Sequence, residues 1–174
     1  MTDISIGGAK RGRRTYSFDE IAIAPSRRTR DSHAASTAWA IDAYRFDTPL
    51  LAAPMDSIVS PQSAVTLAGL GVLAVLNLEG LWGRYEDPTP LLAEIARLEP
   101  DAVTPRMQEL YAARPVDTDL VAARIAQLKD AGITVAVATS PQRAAHLARL
   151  ASSSGADLVV IRGTTVSAEH VSAA

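Results

Sequence analysis

The chain of 174 residues contains no cysteine, which excludes disulfides, thiolate metal sites and a cysteine nucleophile within it. Aromatic residues are scarce, at 5%. No apolar run approaches the roughly 18 to 20 residues that a membrane-spanning helix needs. The polar, glycine-containing residues 1–12 also lack the apolar core of a signal peptide. These absences predict a cytoplasmic protein that does not enter a membrane.

Neither sign of charge is in strong excess, since the formal net charge is −2. A field this weak would not steer the chain towards nucleic acid or an anionic membrane surface, so we expect neither as a partner. The three histidines, His33, His146 and His170, are scattered without the spacing of metal ligands. We therefore predict no metal site. With 48% hydrophobic residues, the chain is long enough to bury a substantial core.

What the sequence does contain is one unit repeated three times between Pro49 and Gly163. Each unit is an apolar β-type run, a short loop and a helix, followed by the next run. The four runs are residues 49–53, 72–76, 133–138 and 158–161. Runs that are apolar on both faces and alternate with helices are typical of a parallel sheet.

Helix starts are marked twice by the same Ser-Pro-Gln sequence, at Ser60 and Ser140. Serine is a good N-cap, and proline suits the first helical position because its missing N–H has no partner there. Apolar residues at i, i+4 and i+7 predict another amphipathic helix through Val121, Ile125 and Leu128. The predicted helices cover residues 60–70, 91–98, 106–112, 119–131 and 141–152.

The residues before the repeat carry weaker signals. Residues 1–14 are predicted to be a mobile arm, residues 18–25 an extended segment and residues 31–48 irregular, with Trp39, Ile41 and Phe46 as packing anchors. Two basic clusters lie here, and we expect a solvated arm, with anchoring of an anionic ligand or a partner subunit as the alternative. The clusters are Lys10, Arg11, Arg13 and Arg14, then Arg27, Arg28 and Arg30.

Two architectures fit the repeat. An open four-stranded sheet would leave both outer strands with unpaired edges. A (β/α)₈ barrel removes those edges but typically needs about 250 residues. We predict an α/β fold of the TIM-barrel type, of which this chain holds only the first four βα units, a half-barrel. Residues 1–48 would form the arm and extended segment, and residues 49–174 the half-barrel.

Two segments give the sequence a resemblance to a known family. Residues 16–25 read Tyr-Ser-Phe-Asp-Glu-Ile-Ala-Ile-Ala-Pro, and the first strand ends in Pro54-Met55-Asp56. Together they resemble the IMP dehydrogenase/GMP reductase family, and the match extends through residues 73–82 and 133–170. Residues 25–30 and 77–82 look most like the IMP dehydrogenase-related branch that has no CBS domain. The resemblance covers the N-terminal half of that family.

The resemblance implies a usually tetrameric (β/α)₈ enzyme that moves a hydride between a purine nucleotide, IMP or GMP, and NAD or NADP. In that family a cysteine thiolate adds to purine C2, and later loops hold the phosphate. Those parts would lie beyond Ala174, so this chain would supply no catalytic residue. We expect the isolated chain to be inactive and to bind little or no cofactor.

Site residues carry over from the resemblance one by one. Met55 matches the methionine that contacts the nucleotide base, and Asp56 follows it. Ala53 stands where dehydrogenases often have a ligand-binding serine, and Asn77 where they commonly have histidine. These four residues form the predicted substrate site.

The predicted cofactor site follows the fourth strand. Arg162, Gly163 and Thr164 occupy the place of an Asp-Ser-Ser sequence whose carboxylate contacts the nicotinamide ribose. Arginine cannot accept a hydrogen bond from a ribose hydroxyl, but it could favour a phosphate.

Simpler interpretations of these residues stay open at this point. Met55 could pack at the rim, Asp56 could cap a turn, and Arg162 could form a surface ion pair. Glu79 is expected to be solvated. An alternative to the enzyme hypothesis is a non-catalytic half-barrel that binds a partner or a second copy of itself through its exposed strand edges.

Overall fold

The computed structural model describes residues 3–6, 10–13, 16–24 and 31–163. The chain divides into two compact units, Met1–Ser36 and Thr37–Ala174. The second unit contains all four strands of the repeat. The proposed division at residue 48 stays a prediction.

The first unit is more ordered than the predicted mobile arm. Strands β1 (Asp3–Ile6) and β2 (Lys10–Arg13) pair antiparallel, with Asp3 opposite Arg13. Short 3₁₀ helices cover Phe18–Glu20 and Ser32–Ala34. A capping box between Ser17 and Glu20 starts the first of them, so the prediction of an extended segment is wrong there. Of the basic residues, Arg14, Arg27, Arg28 and Arg30 lie outside the described residues.

The second unit contains the predicted parallel sheet. Its strands are β5 (Leu51–Ala52), β6 (Leu73–Asn77), β7 (Ala136–Thr139) and β8 (Leu158–Ile161), and they follow one another in this order with parallel pairing throughout. The helices are α1 (Pro61–Gly69), α2 (Thr89–Ile95), α3 (Pro100–Ala113), α4 (Thr118–Asp130) and α5 (Pro141–Ser153). None of these described helices is both long and apolar enough to cross a membrane.

Residues 37–48 are not irregular but form a small antiparallel hairpin. Strands β3 (Trp39–Ile41) and β4 (Tyr44–Phe46) are joined by a two-residue turn in which Asp42 has a φ of 51°. Trp39 and Phe46 stack with ring centroids 4.8 Å apart, as expected of packing anchors. Ile41 was predicted to pack too, but it is 44% exposed.

Both faces of the central strands are covered, which explains their continuous apolar runs. Every residue of β6 and β7 is buried. Helices α1, α4 and α5 pack on one face, through Ala64 of α1, the predicted stripe of α4 and Leu147 of α5. The stripe is Val121, Ile125 and Leu128. The β3–β4 hairpin packs on the other face, where Phe46 contacts a second cluster. That cluster contains Leu73, Val75, Ala136 and Ala138.

Helix α3 is longer than predicted, because it starts at Pro100 and continues through Pro105. A proline inside a helix removes one backbone hydrogen bond and usually breaks the helix. Here Pro105 and Asp101, whose carbonyl would have accepted that bond, both lie on the exposed side of the helix. The cluster of prolines in residues 88–115 therefore bounds two helices, α2 and α3, without stopping the second.

Candidate functional site

The loops at the carboxyl end of the parallel sheet bring most predicted site residues together. Parallel strands deliver their carboxyl ends to one edge, where ligands of α/β proteins usually bind. Met55 and Asp56 follow β5, Asn77 ends β6 and Arg162 follows β8, and all four line one cavity of 320 Å³. The predicted residues Ala53 and Gly163 are exposed and do not line it. Thr164 lies outside the described residues.

Arg162 connects the two edges of the sheet. Its Nη1 donates to the Pro54 carbonyl over 3.2 Å, and its Nη2 donates to Asn77 Oδ1 over 3.3 Å. Arg162 therefore joins the loops that follow the two edge strands.

Arg162 forms no ion pair with any residue that the structure describes. Both acceptors of its hydrogen bonds are neutral, and no carboxylate in the described part of the chain lies within ion-pair distance. The prediction of a surface ion pair is therefore not met among these residues. A guanidinium has five N–H donors, so donors remain for a ligand.

Asp56 is a half-buried carboxyl that joins three segments rather than capping its own turn. Its Oδ2 accepts hydrogen bonds from Leu81 N at 2.8 Å and from the Tyr111 hydroxyl at 3.3 Å. Oδ1 is buried without a partner. It lies against Gly80, where an added Cβ would be only 1.9 Å away, so this close approach requires glycine. Burial raises the pKa of Asp56 above its ordinary value, although these hydrogen bonds and the nearby Arg162 oppose the shift.

Tyr111 is a site residue that the sequence analysis missed. It lies on α3, and burial together with the Asp56 carboxylate raises the pKa of its hydroxyl to about 12. The Arg84 guanidinium lies over its ring, 4.7 Å from the centroid, and Arg84 also donates to the Tyr111 carbonyl. Val103, Met107 and Tyr111 follow one another at i, i+4 and i+8, which was the available signal that one face of this helix is covered.

Glu79, predicted to be solvated, is instead saturated with donors. It accepts from the backbone N–H and the hydroxyl of Ser140 and from the hydroxyl of Thr139. Arg143 lies 3.3 Å from it. Burial opposes ionisation, but these donors outweigh it and hold the pKa of Glu79 below its ordinary value. The prediction that Glu79 is solvated is wrong, because the hydrogen-bond donors of Glu79 lie about 60 residues further along the chain, at the start of α5.

Among the described residues, no group of three or more His, Cys, Asp or Glu side chains comes together to hold a metal ion. His33 and His146 are exposed, and His170 is outside the described residues. The chemical groups that do meet at the cavity are a guanidinium, an amide, a carboxyl, a phenol and a thioether. Such a set can bind and orient a polar aromatic ligand.

Comparison with known proteins gives close relatives over almost the whole chain. No protein-family model matches it. An uncharacterized oxidoreductase of Mycobacterium tuberculosis (strain ATCC 25618 / H37Rv) is 47% identical over 173 residues, which cover 97% of this chain and 46% of the relative. One from Mycolicibacterium smegmatis is 45% identical with the same coverage. The chain thus spans about half the length of the curated relatives it matches.

Among solved structures, the crystal structure of an IMP dehydrogenase/GMP reductase-like protein from Corynebacterium glutamicum matches with a TM-score of 0.83 and 44% identity, over 97% of this chain and 46% of that one. The resemblance carried by residues 16–25 and by Pro54-Met55-Asp56 is confirmed as a similarity. This mixed α/β chain with its parallel sheet is therefore similar, over nearly its whole length, to proteins named as oxidoreductases or as IMP dehydrogenase/GMP reductase-like. The match covers somewhat under half the length of each of those proteins.

Proposed function

We propose that this chain is the N-terminal half-barrel of an oxidoreductase of the IMP dehydrogenase/GMP reductase type, acting in the cytoplasm on a purine nucleotide with NAD or NADP. The observation that carries the proposal is the 44% identity, over 97% of the chain, to a protein described in those words. The convergence of the loops after β5, β6 and β8 on one cavity is consistent with it.

Exposed sheet edges support the half-barrel part of the proposal. Leu51 on β5 is 50% exposed and Ile161 on β8 is 58% exposed, although both belong to apolar runs. Four further βα units would cover both edges and close a ring of eight strands. We expect the complete protein to be a homo-oligomer, as the family tetramer suggests.

In the proposed site, some residues contact the ligands and others support the loops around them. Met55, which is 50% exposed, contacts the purine base, and Asp56 and Asn77 hold the surrounding loops in place. Ala53 cannot replace the hydrogen bond of a serine, so the base is held without it. By the resemblance, Arg162, Gly163 and Thr164 would contact the cofactor, and a guanidinium that has no ion-pair partner among the described residues fits the anionic groups of a dinucleotide. A bound nicotinamide cofactor would supply the hydride acceptor or donor.

Because the chain contains no cysteine, the thiolate that this chemistry needs must come from another polypeptide segment. A hybrid protein tests this directly. The aligned part of the Corynebacterium glutamicum relative is replaced by this chain, and NAD(P)-linked turnover of IMP and GMP is followed for the hybrid, the parent and the isolated chain. We expect turnover by parent and hybrid and none by the isolated chain. An active parent with a folded but inactive hybrid would contradict the proposal, as would turnover by the isolated chain.

The exposed edges also favour a second candidate function, a non-catalytic half-barrel that pairs with a second copy of itself. Sedimentation velocity separates the two. A monodisperse dimer that loses its association when Ile161 is replaced by lysine would support self-pairing. A monomer, or irregular aggregation that this substitution does not resolve, would count against it.

A further inference from the structure

Helix α2 lies between two cavities at the carboxyl end of the sheet. Leu92 and Ile95 line both of them, one of 320 Å³ that also contains Arg162 and one of 480 Å³ beside the start of α1. None of the seven residues of α2 is buried, and the helix packs against the core cluster through Leu92. Because protein interiors are close-packed, an element with open space on both sides has room to move.

The chain just before α2 is held in place. Arg124 on α4 donates from Nε to the Trp82 carbonyl and from Nη2 to the carbonyls of Tyr85 and Glu86. Its guanidinium also lies over the Trp82 ring, 5.4 Å from the centroid. Pro88, which immediately precedes α2, is buried. A movement of α2 would therefore pivot near Pro88.

The second half of α3 is also held in place. Leu110 is buried, and its carbonyl accepts a hydrogen bond from the Tyr85 hydroxyl at 2.9 Å. Arg84 donates to the Tyr111 carbonyl over 3.1 Å, and the Tyr111 hydroxyl donates to Asp56 over 3.3 Å. These contacts attach α3 to the loops that follow β5 and β6. Helix α2 has no comparable set of polar contacts among the described residues.

A paired carboxylate and guanidinium link α2 to this anchored part of α3. Arg106 Nε donates to Glu94 Oε1 over 2.7 Å, and its Nη2 donates to Oε2 over 3.3 Å. Arg106 also pairs with Glu109, but that contact stays within α3. The side chains of Glu94 and Arg106 are both partly exposed. An ion pair this exposed contributes little to stability and is screened by salt, so it can hold α2 and also release it.

We propose that α2 is a gate to the cavity at the carboxyl end of the sheet, that it pivots near Pro88, and that the Glu94–Arg106 pair is its latch. When the latch opens, Leu92 and Ile95 move away and the two cavities join into one space that a ligand can enter. This role rests on the proposed function, because the gate controls access to the site described there. It concerns how a ligand enters and leaves, whichever ligand that is.

Because the chain has no cysteine, a single introduced thiol can report the movement. Leu92→Cys places a thiol between the two cavities, and its rate of reaction with N-ethylmaleimide follows the fraction of molecules in which the gate is open. Ala93→Cys, at the exposed neighbouring position, gives the rate of an accessible thiol. The reagent is uncharged, so changes of charge at the latch do not alter its approach. We expect Leu92→Cys to react about tenfold more slowly than Ala93→Cys.

Substitution of the latch should change this rate. Glu94→Gln removes the charge that joins the helices and should raise the rate at Leu92→Cys about threefold, and 1 M salt should raise it in the unsubstituted latch. Glu109→Gln is the matched control, because it takes a carboxylate from the same arginine within α3, and it should not raise the rate. The exchanged pair Glu94→Arg with Arg106→Glu should return the rate to near its original value. Neither change should affect Ala93→Cys.

Several results would overturn the gate. They are an unchanged rate in Glu94→Gln, an equal rise in Glu109→Gln, and a rate at Leu92→Cys that already equals that of Ala93→Cys. In the hybrid protein, Glu94→Gln should change KM or kcat at least about twofold while Glu109→Gln changes neither. Unchanged kinetics of the Glu94→Gln hybrid would also overturn the gate.

The two kinds of measurement keep the gate separate from the proposed function. An active hybrid whose labelling rate does not respond to Glu94→Gln would remove the gate and leave the oxidoreductase proposal intact. The expected labelling rates, together with a folded but inactive hybrid, would leave the movement of α2 established and contradict the proposed function.

Discussion

The central strands β6 and β7 are buried along their whole length, whereas the edge strands β5 and β8 are largely exposed. All four runs are similarly apolar in sequence, so composition does not explain the difference. It arises because each central strand has a neighbour on both sides and a packed layer on both faces. In the proposed half-barrel, the exposed apolar edges are the surfaces that further βα units would cover.

The same contrast continues into the loops that follow these strands. Glu79 follows the central strand β6 and is surrounded by donors from the neighbouring strand and helix. Asp56 follows the edge strand β5 and has one oxygen satisfied and the other buried without a partner. The pKa shifts of the two residues are opposite, because burial dominates and raises the pKa at Asp56, whereas the donors around Glu79 outweigh burial and lower it.

The largest expected effect comes from the same substitution at two paired positions. Val137 on β7 is fully buried and lies opposite Val159 on β8, which is 37% exposed. Val137→Ala should lower the free energy of unfolding by about 2 kcal/mol, because it removes buried methyl groups and leaves a cavity. Val159→Ala should lower it by less than about 0.5 kcal/mol. Urea unfolding of the chain measures both.

An equal loss in the free energy of unfolding at Val137 and Val159 would contradict the contrast between central and edge strands. It would show that β8 is covered in solution, since an exposed valine has little buried area to lose. Repeating the measurement over a range of protein concentrations then distinguishes a second copy, whose contribution depends on concentration, from cover by the same chain.

Substitution of Asp56 should have the next largest effect on the free energy of unfolding. The sign of this effect depends on which residue replaces Asp56. Asp56→Ala leaves Leu81 N and the Tyr111 hydroxyl without their acceptor and should cost about 1–2 kcal/mol in the free energy of unfolding. Asp56→Asn keeps an acceptor and removes the buried charge, so at pH 7 it should be at least as stable as the unsubstituted chain. Denaturant midpoints of the two variants test this, and equal losses would show that the charge itself is needed.

The pH dependence follows from the raised pKa of Asp56. The folded chain keeps this proton to a higher pH than the unfolded chain does, so ionisation of Asp56 opposes folding. Its contribution to stability falls as the pH rises from about 3.9 to the pKa of the folded state, and is constant above it. In Asp56→Asn that fall should be absent.

Several elements could be predicted from the sequence because their signals are local. The Ser-Pro starts at Ser60 and Ser140 and the stripe on α4 placed three helices to within one or two residues. The four apolar runs predicted the parallel sheet. The resemblance, rather than these runs, implied the site residues Met55, Asp56, Asn77 and Arg162, which line one cavity in the structure.

What could not be predicted depends on residues far apart in the chain. Tyr111 meets Asp56 across 55 positions, and Glu79 meets Ser140 across 61. No local pattern contains such a contact. The β3–β4 hairpin had a local signal, but a weak one, because Asp42-Ala43 lacks the glycine that marks most two-residue turns. Asp42 still adopts a positive φ, which aspartate tolerates better than most residues.

Substitution of Glu79 should have the smallest effect on the free energy of unfolding, and the pH dependence of its contribution should be opposite in sign to that of Asp56. Its lowered pKa means that its stabilisation is fully present above the unfolded-state value, near 4.5, and is lost as the pH falls through the folded-state pKa. Glu79→Gln removes the charge that Ser140 and Arg143 share and should cost about 1 kcal/mol in the free energy of unfolding at pH 7. The loss should disappear well below pH 4, whereas Glu86→Gln at an exposed position should cost nothing measurable at either pH. A loss that persists in acid would mean that packing of the Glu79 side chain, rather than its charge, joins the loop after β6 to the start of α5.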